Sequence, residues 1–144
     1  MPTQIHSLER MFQALGDGTR LRILGLLQSG EVCVCHLHES LGAPQPKVSR
    51  HLAYLRRAGL VATRREGLWV HYRLADHGDS VVAVVLQAVT HALGHIEAVR
   101  RDARALAKTT GCDVPPPACP PSFDCCSPGQ PTSGRGPAFV EIAR

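Results

Sequence analysis

Residues 34–74 read VCHLHESLGAPQPKVSRHLAYLRRAGLVATRREGLWVHYRL, and the hydrophobic period changes twice within them. Residues 34–41 have helical spacing and stop at Gly42. Ala43-Pro44-Gln45-Pro46 then breaks the run. Helical spacing resumes over residues 47–58, with Val48, Leu52 and Leu55 on one face and Gly59 as the stop. Beyond Gly59 the period falls to two. Residues 60–64 and 69–74 read as strands around Arg65-Glu66-Gly67-Leu68, with Val70, Tyr72 and Leu74 toward the core and Trp69, His71 and Arg73 on the other side. Short helix, breaker, basic helix and basic hairpin, in that order, predict a winged helix-turn-helix.

Working outward, Leu8, Met11, Phe12 and Leu15 recur at helical spacing before Gly16-Asp17-Gly18. Asp17 or Thr19 can cap a second helix carrying Leu21, Ile23, Leu24, Leu26 and Leu27. On the other side, residues 79–107 read as one long helix. Val82, Leu86, Val89, Leu93 and Ile96 advance along it by four and three residues in turn, the seam of a helix packed on another helix. So long a terminal helix on a small domain predicts a homodimer. Residues 109–144 hold eight of the eleven prolines and four glycines, a composition that predicts a flexible tail. The expected fold is therefore α+β and mainly helical: four helices, a two-stranded wing and a long dimerisation helix within residues 5–108, followed by the tail.

The 144 residues suit one domain, and no apolar run approaches the ~20 residues that span a bilayer. The first residues lack the basic-then-apolar layout of a secretory signal, so a cytoplasmic location without membrane contact is expected. Charge is uneven. The formal net charge is +4, yet residues 42–75 alone carry Lys47, Arg50, Arg56, Arg57, Arg64, Arg65 and Arg73 against Glu66. A basic stretch in an otherwise near-neutral chain predicts a polyanionic partner, here double-stranded DNA. Gln45, Lys47, Ser49, Arg50 and His51 occupy the first turns of the basic helix, the end that reaches base edges. Arg64, Arg65 and Arg73 on the hairpin are expected on phosphates, which hold the protein in register without reading sequence. Arg56 and Arg57 fit solvated positions equally well.

Four segments carry a family resemblance. Arg20-Leu21-Arg22-Ile23-Leu24, Glu31-Val32-Cys33-Val34-Cys35, Gln45-Pro46-Lys47-Val48-Ser49-Arg50-His51-Leu52 and Gly67-Leu68-Trp69-Val70-His71-Tyr72-Arg73-Leu74 resemble the ArsR/SmtB family of metal-responsive repressors, more narrowly its arsenical-resistance members. The resemblance covers residues 6–108. It implies a homodimeric winged-helix repressor that holds operator DNA until an inducer arrives, with arsenite or antimonite as inducer and no permanent cofactor, substrate or catalytic residue.

Cys33 and Cys35 are the expected ligands. Soft thiolates select thiophilic centres, and trivalent arsenic or antimony takes three of them in a pyramid. The head of a helix favours the thiolate, so the pair is well placed there; the plain alternative is two small buried hydrophobes. If both residues lay on the helix they would project about 200° apart. Ligand binding would then require the first turn to unwind, or to be irregular already, and would displace the reading helix that it braces.

Two departures from the family pattern are visible. Where that pattern places a third cysteine the chain has His38, with His36 nearby, so the third thiolate is sought in the tail: Cys112, Cys119, Cys125 or Cys126. Nitrogen ligands would favour a divalent soft metal. Ala43-Pro44 also stands where the family carries a serine cap, leaving the reading helix without one. Zinc-sensing members use an aspartate and histidines on the last helix, and Asp79, His91, His95 and Glu97 do not meet that spacing, although His91 and His95 share a face. The alternative reading keeps the fold and changes the signal to cadmium, lead, zinc or thiol oxidation. A thiol oxidoreductase is the remaining class, and it lacks both a Cys-x-x-Cys spacing and a βαβ pattern.

Overall fold

The computed structural model describes residues 3–78 and 80–110. Six helices and a small antiparallel sheet follow one another in the order α1 (Gln4–Leu15), α2 (Gly18–Leu26), β1 (Val32–Cys33), α3 (Val34–Leu41), α4 (Gln45–Arg57), β2 (Val61–Glu66), β3 (Trp69–Leu74), α5 (Val81–Leu93) and α6 (Glu97–Thr110). A single 3-10 turn, Leu27–Ser29, extends α2. Side-chain oxygens start three helices: Thr3 accepts from His6 N, Asp17 from Arg20 N and Ser80 from Ala83 N. Gly42 ends α3 in the left-handed region at φ 62°, which costs glycine nothing. As the sequence predicted, Pro44 leaves α4 without a side-chain cap.

Met11, Ile23, Leu24, Leu37, Val48, Leu52, Leu55 and Leu60 form a fully enclosed core where α1 to α4 meet the sheet. Each such side chain contributes about 1.5–3 kcal/mol of transfer free energy. This is the winged helix-turn-helix expected from residues 34–74, with three differences.

The first is the sheet, which has three strands in the order β1-β3-β2, not two. Val32 and Cys33 pair with Tyr72 and His71 and turn β3 into the central strand. The second follows from it. Trp69 and His71, expected on the side away from the core, are buried together with Tyr72 on a strand that has β1 on one edge and β2 on the other. The third is the long terminal helix. Residues 81–110 form two helices that meet at 84° around Gly94-His95-Ile96. Leu86 and Leu93 of the predicted seam are buried, whereas Ile96 falls in the bend and is exposed. Beyond the bend α6 turns back onto α2 and α3. Gly25 allows this approach: a Cβ there would collide with the side chain of Val99. Asp102, buried on α6, accepts hydrogen bonds from Nε and Nη2 of Arg22, both at 2.7 Å. Among the described residues no single helix is long and apolar enough to cross a membrane. The expected tail lies outside the described residues from Gly111 onward.

Candidate thiol site and nucleic-acid interface

Cys33 closes β1 and occupies the N-cap position of α3, with φ −70° and ψ 145°; Cys35 is the second residue of the helix. Both are buried, and their sulfurs lie 2.9 Å apart. The 200° divergence expected for two helical positions therefore does not arise. Cys33 is extended, and its side chain swings back over the first turn while α3 stays regular. Unwinding is not a precondition for the two sulfurs to meet. Among the described residues no group of three or more His, Cys, Asp or Glu side chains is arranged to hold a metal ion. His36 is buried on α3 and His38 half-buried, while Cys112, Cys119, Cys125 and Cys126 lie outside the described residues.

Strand register sets what surrounds the pair. Cys33 stands opposite His71, and His71 opposite Arg64, so the three side chains share one face of the sheet. Arg64 is 2% exposed. It donates from Nε to Glu31 Oε1 at 2.9 Å and from Nη1 to Glu66 Oε2 at 2.9 Å, and Nη2 also closes on Glu31. His71 sits between the same carboxylates, Nδ1 3.6 Å from Glu31 and Nε2 3.7 Å from Glu66. Burial pushes the His71 imidazole below its ordinary range, and the Arg64 charge pushes the same way. Burial likewise lowers His36, with His71 and His38 adding to the effect. Arg64 is thus not the outward phosphate ligand expected from its place in the hairpin. It faces inward because residues alternate along β2, and two carboxylates hold it there.

The remaining candidates for nucleic acid lie on α4 and the wing. Val48, Leu52 and Leu55 are buried, which turns Gln45, Lys47 and Arg50 outward; Ser49 and His51 are half-buried. His51 Nδ1 reaches Asp17 Oδ1 at 3.6 Å. Arg65 is exposed, and Arg73 half-buried with Nη1 donating to the Leu74 carbonyl at 3.2 Å. A shallow basic concavity is lined by Arg20, Lys47, Arg50, His51, Arg56 and Arg57. Arg20 was not legible in the sequence as part of this surface. Its guanidinium stacks 4.1 Å above the Tyr54 ring, a contact between helices that periodicity does not signal. His91 and His95, both exposed, bring their rings to 5.2 Å edge-on, while Glu97 pairs with Arg104 at 2.7 Å. Asp79 lies outside the described residues.

A family model described as "Bacterial regulatory protein, arsR family" matches residues 17–63. The chain is 54% identical over 78 residues to the arsenical resistance operon repressor of Escherichia coli (strain K12), a match covering 54% of this chain and 67% of that protein. It is 46% identical over 83 residues to the arsenic resistance transcriptional regulator ArsR1 of Pseudomonas putida, covering 57% and 65%. Among solved structures it is similar to HlyU from Vibrio cholerae, with a TM-score of 0.55 and 32% identity over 64% of this chain and 97% of that one. The matched segments span about two thirds of the two curated relatives.

Proposed function

Because the chain belongs to the arsR family of bacterial regulatory proteins, and is a winged-helix transcriptional repressor and not an enzyme, we propose that it binds its operator as a cytoplasmic homodimer and releases it when arsenite or antimonite binds Cys33 and Cys35. One observation carries this reading: two sulfurs 2.9 Å apart, at the head of a helix packed on α4. Two thiols so close suit one soft atom that binds them as thiolates, with loss of their protons.

Support for a third ligand comes from the end of α6. Leu106 and Ala107 line the same cleft as Glu31 and Val32, the residues just before Cys33. Cys112 follows Thr110 by two residues, a chain reach of about 7 Å. We therefore rank Cys112 ahead of Cys119, Cys125 and Cys126, with residues 5–108 as the operator-binding unit and the segment from 109 as ligand donor. The thiols are 2% and 1% exposed, so a metalloid with a further ligand adds volume to a close-packed junction. The junction must move, and α3 moves with it against α4. Gln45, Lys47, Ser49, Arg50 and His51 then lose their register in the major groove.

For the dimer, Ile5 and Phe12 of α1 and Val81 and Val84 of α5 are exposed, on two helices that touch each other. A second copy would cover them.

A gel shift with the upstream DNA fragment, challenged in turn by arsenite, antimonite, cadmium and zinc, tests the reading. Release by the two metalloids at lower concentration than by the divalent ions is expected; release by zinc or cadmium alone overturns it.

A further inference from the structure

We propose that the Glu31–Arg64–Glu66 ion cluster, buried at Arg64 and open to solvent at Glu66, with His71 wedged inside it, is the mechanical link between the thiol pair and the wing. Arg64 and His71 act in it as positioning residues. The inference deepens the sensing reading above and rests on it.

Three observations carry the link. Cys33, His71 and Arg64 stand side by side on one face of the sheet, one from each strand. Glu31, two residues before Cys33, receives two of the Arg64 donors, so the segment that carries the thiol is bound to β2 by a charge pair as well as by the ladder. Glu66, the last residue of β2, receives a third and extends the cluster to the turn of the wing.

The physics makes this cluster stiff. A guanidinium that is 2% exposed is tolerated only while its donors are paired. When a ligand displaces Cys33, Glu31 is carried with it. Arg64 must then follow Glu31 or lose the acceptor of two of its donors. Arg64 and Arg65 are consecutive on β2 and face opposite ways, one into the cluster and the other exposed. Moving Arg64 therefore moves Arg65. An inducer held by the thiols thus loosens the wing on the DNA backbone while α3 disturbs α4, and both halves of the DNA-binding surface are released together.

The test measures coupling, which a merely stabilising cluster would leave alone. Operator affinity is measured with and without saturating arsenite, and arsenite binding is titrated separately, for the wild type, for Glu31→Leu/Arg64→Met and for Glu66→Gln. The double substitution removes both charges and so buries neither alone. The prediction is that both variants bind operator within about threefold of the wild type, and arsenite with unchanged stoichiometry. The arsenite-driven loss of operator affinity falls at least about fivefold in the double variant and by less in Glu66→Gln. An arsenite-driven loss equal to that of the wild type overturns the link; so does a change that only tracks weakened operator binding without arsenite. Should the double variant not fold, Glu66→Gln alone decides, because it leaves the Glu31–Arg64 pair in place. If arsenite does not change wild-type operator binding, the sensing reading fails and the link falls with it; a wild-type response matched by both variants refutes the link alone.

Discussion

The sulfurs of Cys33 and Cys35 come within 2.9 Å across the junction where β1 ends and α3 begins, with the helix regular from Val34. Replacing either thiol by serine leaves a near-isosteric side chain and removes the soft donor. Operator affinity is expected to stay within about threefold, under ~1 kcal/mol, while arsenite no longer releases the DNA. Gel-shift titration of Cys33→Ser and Cys35→Ser checks both halves, and full release in either variant contradicts the site.

Single serine substitutions at the four C-terminal cysteines should separate them by chain reach. Cys112→Ser is expected to raise the arsenite concentration for half release by about tenfold, the equivalent of ~1.4 kcal/mol. Cys119→Ser, Cys125→Ser and Cys126→Ser are expected to leave it unchanged. An unaltered midpoint in Cys112→Ser removes that residue from the site.

Neighbouring arginines on β2 should behave in opposite ways. Arg65→Ala is expected to weaken operator binding evenly across sequences and to lower the slope of log affinity against log salt by about one. Arg64→Ala strands Glu31, only 10% exposed, while Glu66 stays in contact with water; it should cost roughly 3 kcal/mol of folding stability, leaving the salt slope of the folded fraction alone. Salt titrations and denaturant melts distinguish the two.

Asp102 anchors α6 through Arg22. Asp102→Asn leaves the guanidinium with half its charge-assisted partners and is expected to cost about 2–3 kcal/mol, below the figure for a fully buried pair because Arg22 is 35% exposed. Gly25→Ala should also destabilise, by wedging α6 away through Val99. Urea melts of both variants measure the loss, and native stability in either one contradicts the packing of α6 on α2.

Asp17 carries a pH signature. The backbone N–H of Arg20 holds its carboxyl below the ordinary aspartate range, and the His51 charge adds to this. A carboxyl lowered in the folded state stabilises fully above its unfolded value, about 4, and loses that contribution as pH falls from there through the folded value. Asp17→Asn keeps the cap and should flatten stability across that acid window. Asp17→Ala should cost about 1 kcal/mol at pH 7. Melts from about pH 2, two units below the free carboxyl value of about 4, up to about pH 7 test it.

The order of helices, the breaker at Ala43-Pro44, the buried stripe Val48-Leu52-Leu55 and the outward turn of Lys47 and Arg50 were legible in the sequence. Each is a local matter of period, propensity and stop signals. Cys33 and Cys35 were legible as candidate ligands through their residue type and the family resemblance, whereas their spacing on a helix pointed the sulfurs apart. Three features depended on contacts distant in sequence. Val32-Cys33 became a strand because β3 offered a free edge, and that extended residue is what lets the sulfurs meet. Arg64 turned inward because Glu31, thirty-three positions earlier, waits across the sheet. The helix over residues 79–107 broke at Gly94 because its second half gains more from Gly25 and Arg22 than from continuing straight. Local pattern selects an element and its exposed face; partners far along the chain decide where that element ends and which charge is buried.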